Sequence, residues 1–312
     1  MRRCLWRRCE KVGRAVPSPP LRRLQEQAPY LRPLSPLGTG GGFARVAPRM
    51  TRLPLSISII SQNEEANLRR CLASAAELAQ EIVIVDSGST DRTAEIAAEF
   101  GVKFVYQDWL GYTAQKNHCL ALCSQPWILA LDCDEELTPE LRESIQRFFE
   151  NGDHEKYDGA WMPRLVWFMG RWIHHGDWYP DRKVRLFRRD KSRWAADGGG
   201  QVHERLDVDG PCTTLKGDLL HYSFKNIQHY LVKHVQYSNV FLQTQQSKGT
   251  RWSLLQTLFR PWWRFVRAYV LKRGFIDGFP GLWIAVATAF FTFDRYSRMF
   301  EAEAEANSKR EG

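Results

Sequence analysis

Paired cysteines, acidic residues near the N-terminus and long apolar runs are all scarce in this chain of 312 residues. Its seven Cys form an odd set with no C-x-x-C pair and no His at zinc-type spacing. That argues against a disulfide scaffold or a zinc ribbon and reads as buried thiols in a reducing compartment. The longest uncharged apolar run, 281–293, falls short of the roughly 20 residues a bilayer requires. The sequence therefore predicts a buried or interfacial helix there and no membrane span. Residues 1–49 hold ten Arg, one Lys and two Glu, a surplus of +9 that equals the formal charge of the whole chain. The basic character thus belongs to the tail, and the body is formally neutral. The tail has no apolar stretch to serve as a secretory signal. It is Arg-rich and acid-poor like a transit peptide, but without an amphipathic period. The expectation is a disordered basic tail over 1–51, or a true start at Met50, just before the first strand-like run.

From residue 55 onward a regular pattern appears. LSISIIS, EIVIVD, KFVYQ and WILALD are nearly continuous apolar runs, separated by helix-like NLRRCLASAAEL, DRTAEIAAEF and TAQKNHCLALC. Such alternation predicts an α/β domain with a mostly parallel sheet covered on both faces. Residues 52–150 form its nucleotide-binding half, and 151–225, with short Trp- and Arg-rich runs, an antiparallel extension on the acceptor side. Residues 226–300 read as amphipathic helices and 301–312 as a disordered tail.

Ligands of such sheets bind beyond the carboxyl ends of the strands. Polar groups from three strands gather there: Gln62–Glu65, Asp86 with the following S-G-S-T-D, and Asp132, Asp134, Glu135 and Glu136. Four acids after a buried strand repel one another and lose hydration unless a cation sits among them. Asp132 and Asp134, spaced i, i+2, offer the hard oxygens that Mg²⁺ or Mn²⁺ prefers, with a substrate diphosphate completing the shell. Ser89, Thr90 and Asp91 suit capping of the next helix, whereas Asp86 is expected to point into the crevice, where it could accept from a uracil N–H or ribose hydroxyls.

ISIISQNEEANL, IVIVDSGSTDRTAEIA, QKN and LALDCDEEL, in this order over 55–140, resemble the nucleotide-sugar domain of family 2 glycosyltransferases, the GT-A fold. GDWYPDRKVRLFRR, GGQVHERL, LLHYSF and RGFIDGFPGLWIAVATAFFTFDRY extend the resemblance over most of 52–300 to lipopolysaccharide inner-core glucosyltransferases of the WaaE/KdtX type. The resemblance implies an inverting, metal-assisted transfer of a hexose from a nucleotide-diphospho-sugar such as UDP-glucose to inner-core heptose. By motif, Asn63 and Glu64 contact the nucleotide, Asp86 the base, and Asp132 and Asp134 the diphosphate through the metal. Lys116 either neutralises phosphate or is a solvated helix residue. Glu204, after the glycines 198–200, is the general base, with Asp177 and Asp181 as rivals; the family often carries an Asp in a Glu-Asp pair here, and this chain departs from that. His203 and His221 are candidates to complete the metal shell. Trp178 and Tyr179 could stack on a sugar, and Arg182 and Arg185 could meet phosphate, or this whole group could simply pack.

The segment 251–274 carries Arg251, Arg260, Arg264, Arg267, Lys272 and Arg273, no acid, and interleaved Trp, Phe and Tyr. It suits an anionic membrane surface bearing a lipid A–core acceptor, which would put the protein in the cytoplasm, peripheral on the inner face of the cytoplasmic membrane. A polyprenyl phosphate or another surface glycan is the alternative acceptor. A nucleic-acid-binding protein is the reading from a different class, and the α/β site argues against it.

Overall fold

A computed structural model of the chain describes residues 52–196 and 204–311. The basic tail (1–51), glycines 198–200 and His203 lie outside the described residues. In chain order the elements are β1 Leu53–Ser61, α1 Leu68–Ala75, β2 Ala79–Asp86, α2 Thr93–Glu99, β3 Lys103–Tyr106, α3 Tyr112–Leu122 and β4 Trp127–Ala130. Next come β5 Glu135–Leu137, α4 Pro139–Glu150, α5 Asp153–Lys156, β6 Gly159–Phe168, β7 Arg171–Ile173 and β8 Asp181–Arg188. Then follow β9 Ser192–Ala196, β10 Glu204–Val208, β11 Cys212–Thr214, β12 Leu219–His221, α6 Ile227–Ser247, α7 Leu254–Phe265 and α8 Gly278–Glu311.

The main sheet runs β3-β2-β1-β4-β8-β6-β12-β5, with β7 and β11 also paired to β6. Strands β1 to β4 are mutually parallel, β8 is antiparallel to β4 and β6, and β12 is parallel to β6. This is the expected α/β architecture: a mostly parallel sheet flanked by helices, with an antiparallel extension. β9 and β10 form a separate two-stranded ribbon. The parallel register places Ser61 opposite Asp86 and Ser58 opposite Ala130, so the polar strand ends emerge along one edge.

Alternate side chains of β4 explain why its sequence is apolar throughout. Trp127 and Leu129 enter one core with Leu72, Leu141, Ile145 and Phe148, while Ile128 and Ala130 enter the other with Val83, Val85 and Cys119. Burying each large side chain contributes roughly 1.5–3 kcal/mol relative to exposure. α4 shows how sequence sets one of these helices. Thr138 caps it by accepting from Leu141 N at 3.3 Å, Pro139 opens it, and Leu141, Ile145, Phe148 and Phe149 form its buried stripe. Cys71, Cys119, Cys123 and Cys133 are buried free thiols.

A third apolar cluster joins the sheet to the C-terminal helices: Phe168 and Ile173 meet Tyr230, Ile284 and Phe291, with Trp178 and Phe224 packed alongside. Two aspartates, buried Asp277 and half-buried Asp177, fasten the same junction. Asp277 accepts from His175 N at 2.8 Å. Asp177 gathers Arg264 (3.1 Å), Arg267 (2.6 Å) and Lys272 (3.1 Å).

One expectation for this region is corrected. Residues 301–311 continue α8 rather than forming a disordered tail: their Ala and Glu are strong helix formers, and Glu303 accepts from Trp252 N across to the start of α7. The helix Gly274–Lys309 is also long and apolar enough, by length and composition, to cross a membrane, with a mean hydropathy of 1.4 over its apolar window. Ile284, Ala285, Ala287 and Phe291 are nonetheless buried against the protein, while Phe279, Val286, Phe290 and Phe293 are exposed.

Candidate active site

A cleft of about 920 Å³ opens where β1 and β4 end, bounded on its far side by β6, β8 and β10. Of the predicted site residues, Glu64, Lys116, Asp132, Asp134, Arg182, Arg185, Glu204 and His221 line it. Asn63 and Asp86 stand apart from the lining.

Asp86 is 3% exposed, and its carboxylate accepts four hydrogen bonds: from Ser61 Oγ (2.8 Å), Gly88 N (2.9 Å), Ser89 N (2.7 Å) and Ser89 Oγ (2.5 Å). A carboxylate has about four acceptor sites, and these four donors match that number. Asp86 ties β1 to its own turn, which corrects the expectation that it faces the crevice. Asn63 is likewise a clip: it has positive φ (56°), donates N–H to Ser89 Oγ, and accepts from Thr90 N through Oδ1. Glu64 faces the cleft, and burial raises its pKa against the opposing hydrogen bond from Asn67.

The cations required by the strand-end acids come largely from the protein itself. Arg185, 5% exposed on β8, lies 2.5 Å from both Asp132 Oδ2 and Glu135 Oε1. Glu135, fully buried, also meets Arg164 at 3.5 Å. Glu136 lies 3.5 Å from Arg70 and accepts from Tyr222. The expected phosphate role of Arg185 is thereby corrected: both neighbours of its Nη2 are internal carboxylates. Arg182, three residues earlier on the same strand, is exposed in the cleft.

Lys116 is buried, and its Nζ sits 3.0 Å from Asp132 Oδ1, 2.6 Å from Glu204 Oε1 and 4.6 Å from the Trp194 ring centroid. It is no solvated helix residue. Burial disfavours its charge, but the Asp132 and Glu204 carboxylates more than offset that and hold its pKa above the usual lysine value. Burial likewise works against the Asp132 carboxylate, yet Arg185 and Lys116 hold it well below the usual range. The neighbours of Lys116 fix its place: Gln115 Nε2 donates to Ser87 Oγ, and Asn117 exchanges two hydrogen bonds with the Trp194 backbone.

Asp134 differs from its neighbours. Among the described residues its ion-pair partner is His221 Nε2, at 3.4 Å, with no Lys or Arg that close. Burial would raise its pKa, but the His221 hydrogen bond and charge lower it overall. Among the described residues, His221 Nδ1 is buried with no hydrogen-bond partner. Nε2 can donate to Asp134 or present its lone pair to a cation. No group of three or more His, Cys, Asp or Glu side chains able to hold a metal occurs among the described residues. An incomplete shell of one carboxylate and one imidazole fits a divalent cation completed by phosphate oxygens. Both Asp132 oxygens meet cations of the protein, Lys116 and Arg185, whereas Asp134 and His221 meet neither and could hold a metal together.

Neither rival base, Asp177 nor Asp181, lines the cleft. Asp177 holds three cations of the C-terminal segment, and Asp181 holds Arg164 (2.5 Å) and Lys183 (3.3 Å). Trp178 is packed against Phe224 and Tyr230, and Tyr179 donates its hydroxyl to Asp218, so neither offers a sugar platform. Aromatic rings do line the cleft, at Trp109, Tyr112, Trp161, Trp194 and Tyr237. Trp109 and Tyr112 follow β3, where the strand-end rule could have found them. Trp161 and Tyr237 come from β6 and α6, with no local signal.

The Glycosyl transferase family 2 model matches residues 56–200. The lipopolysaccharide core biosynthesis glycosyltransferase LpsC of Rhizobium meliloti is 34% identical over 79% of this chain and 94% of its own length. An uncharacterized glycosyltransferase of Rickettsia typhi is 28% identical over 81% of this chain and 89% of its own. Among solved structures, a Pyrobaculum calidifontis mannosyltransferase in complex with GDP-Man and Mn²⁺ aligns with TM-score 0.45 and 12% identity over 82% and 88% of the two chains. With the strand-end carboxylates, the cleft and this likeness to LpsC in hand, the chain belongs to glycosyltransferase family 2.

Proposed function

We propose that the protein transfers a hexose, glucose, from UDP-glucose to the inner-core heptose of lipopolysaccharide, with inversion. The observation carrying this is the division among the strand-end acids: Asp132, Glu135 and Glu136 are matched by internal Lys and Arg, while Asp134 and His221 keep a site for a cation. Bound there, Mg²⁺ or Mn²⁺ would supply Lewis acidity to the leaving diphosphate. The acceptor hydroxyl oxygen forms the new bond to the anomeric carbon as the bond to the diphosphate oxygen breaks, and the electron pair leaves with UDP. Glu204 takes the hydroxyl proton. Lys116, held between Asp132 and Glu204, keeps an ammonium close to where the diphosphate charge develops. Arg182 offers a further cation at the rim.

The acceptor's lipid would bring the protein to the cytoplasmic membrane as a peripheral enzyme. In α7, Leu254, Leu255, Leu258, Phe259, Trp262 and Trp263 are exposed. Arg264, Arg267 and Lys272 are drawn into the Asp177 clasp, whereas Arg251, Arg260 and Arg273 are not. Apolar insertion therefore weighs more than headgroup charge.

The test is incubation of the protein with UDP-glucose, Mn²⁺ or Mg²⁺ and a lipid A–core acceptor ending in heptose, read by mass spectrometry. A mass gain of one hexose, absent in Glu204→Gln, supports the reading. UDP release without a mass gain would reject this acceptor.

A further inference from the structure

The active-site cleft does not end at Glu204. A second cleft, of about 680 Å³, continues along β10, and Trp161, Val184, Arg205 and Leu206 line both. Trp161 stands at the junction on β6 with 39% of its surface exposed. Arg205 and Asp207 lie beside it, joined by a 2.7 Å contact from Nε to Oδ1.

We infer that this second cleft is an acceptor subsite that binds a sugar ring adjoining the one that is glycosylated, so that the acceptor is recognised as at least a disaccharide. The inference rests on the transferase reading above and goes beyond it in naming how much of the acceptor is gripped. Three observations point to a saccharide. An exposed indole over an apolar floor of Val184 and Leu206 offers a platform for the C–H face of a sugar ring. The Arg205–Asp207 pair supplies charged donors and acceptors for hydroxyls. A few polar groups beside an aromatic wall are the usual make-up of a small-molecule site.

Distance separates this subsite from the reacting one. Glu204 lines the first cleft and Asp207 the second, on the opposite face of the same strand and about 10 Å further along it at the rise of an extended chain. The Asp134–His221 donor end belongs to the first cleft alone, so the nucleotide does not compete for the second.

The experiment compares methyl heptoside with the methyl glycoside of a heptosyl disaccharide as acceptors, using UDP-glucose with Mn²⁺, in the full chain and in Trp161→Ala and Trp161→Phe. The wild type is expected to favour the disaccharide in kcat/KM by about tenfold or more. Trp161→Ala should bring that ratio near one, with the loss falling mainly on the disaccharide. Trp161→Phe, which keeps a ring, should retain most of the preference. Equal use of both glycosides by the wild type would overturn the inference, as would an equal loss on both in Trp161→Ala. Transfer to neither, with donor hydrolysis intact, would overturn it together with the heptose acceptor. Absence of donor hydrolysis as well would instead strike the transferase reading itself.

Discussion

Lys116 Nζ lies 2.6 Å from Glu204 Oε1 while also meeting Asp132 at 3.0 Å, so one buried ammonium joins the end of the parallel sheet to the ribbon that carries the proposed base. The contact spans 88 residues of sequence and crosses the active-site cleft. Replacing Lys116 by Met should leave two carboxylates short of a cation and remove a charge from the leaving-group side. A loss of about 10²-fold in kcat is expected, comparable to the removal of one preorganised electrostatic group. Steady-state kinetics checks this, and Lys116→Arg should recover part of the rate if charge is what counts.

The two aspartates of D-x-D should behave differently. Asp132→Ala leaves Lys116 and Arg185, whose side chains are 8% and 6% exposed, short of a carboxylate. Breaking such a pair costs on the order of 3 kcal/mol. Asp134→Ala removes one contact to His221 and should cost about 1 kcal/mol or less. Denaturant titration of both variants gives the comparison, and equal destabilisation would contradict the division of roles.

Asp86 provides a contrast with the motif-based expectation. With four hydrogen bonds into its own turn, Asp86→Ala should destabilise by roughly 2–3 kcal/mol. In Asp86→Asn, a lowered melting temperature with UDP affinity changed less than about tenfold is the expected result. Unchanged stability with lost affinity would return Asp86 to the base-binding role.

The Asp177 clasp sets an acid limit. Burial alone would raise the Asp177 pKa, but hydrogen bonds from Arg267 and Lys272 lower it below the usual 3.8. A carboxylate with a depressed folded pKa stabilises fully above its unfolded value and loses that contribution as pH falls through the folded one. The C-terminal helices should therefore loosen below about pH 4. Asp177→Asn should weaken the junction already at neutral pH, by roughly 2 kcal/mol, discounted because the cationic partners are one-third to one-half exposed. Hydrogen exchange in α7 and in residues 266–277 would register both effects.

Much of the architecture could be read from the chain because β1, β2 and β4 are largely buried on both faces and their sequences are nearly continuous apolar runs. The partners of individual polar groups could not. Asp86 and Arg185 have the residue types of ligands, but whether their hydrogen bonds turn inward depends on side chains 25 and 53 positions away. Asp86 did carry a local clue, since an Asp followed by Gly and Ser is apt to bond its own turn. Trp161 carried none: its place at the junction of two clefts comes from the pairing of β6 with β8 and the course of β10.

The most direct measurement is a calorimetric titration of UDP into the protein with Mn²⁺ or Mg²⁺, then with EDTA, in the wild type and in Asp134→Ala. The account predicts metal-dependent binding to the wild type and none to a folded Asp134→Ala. Binding that ignores both EDTA and the substitution, or no UDP binding under any metal condition, would contradict it.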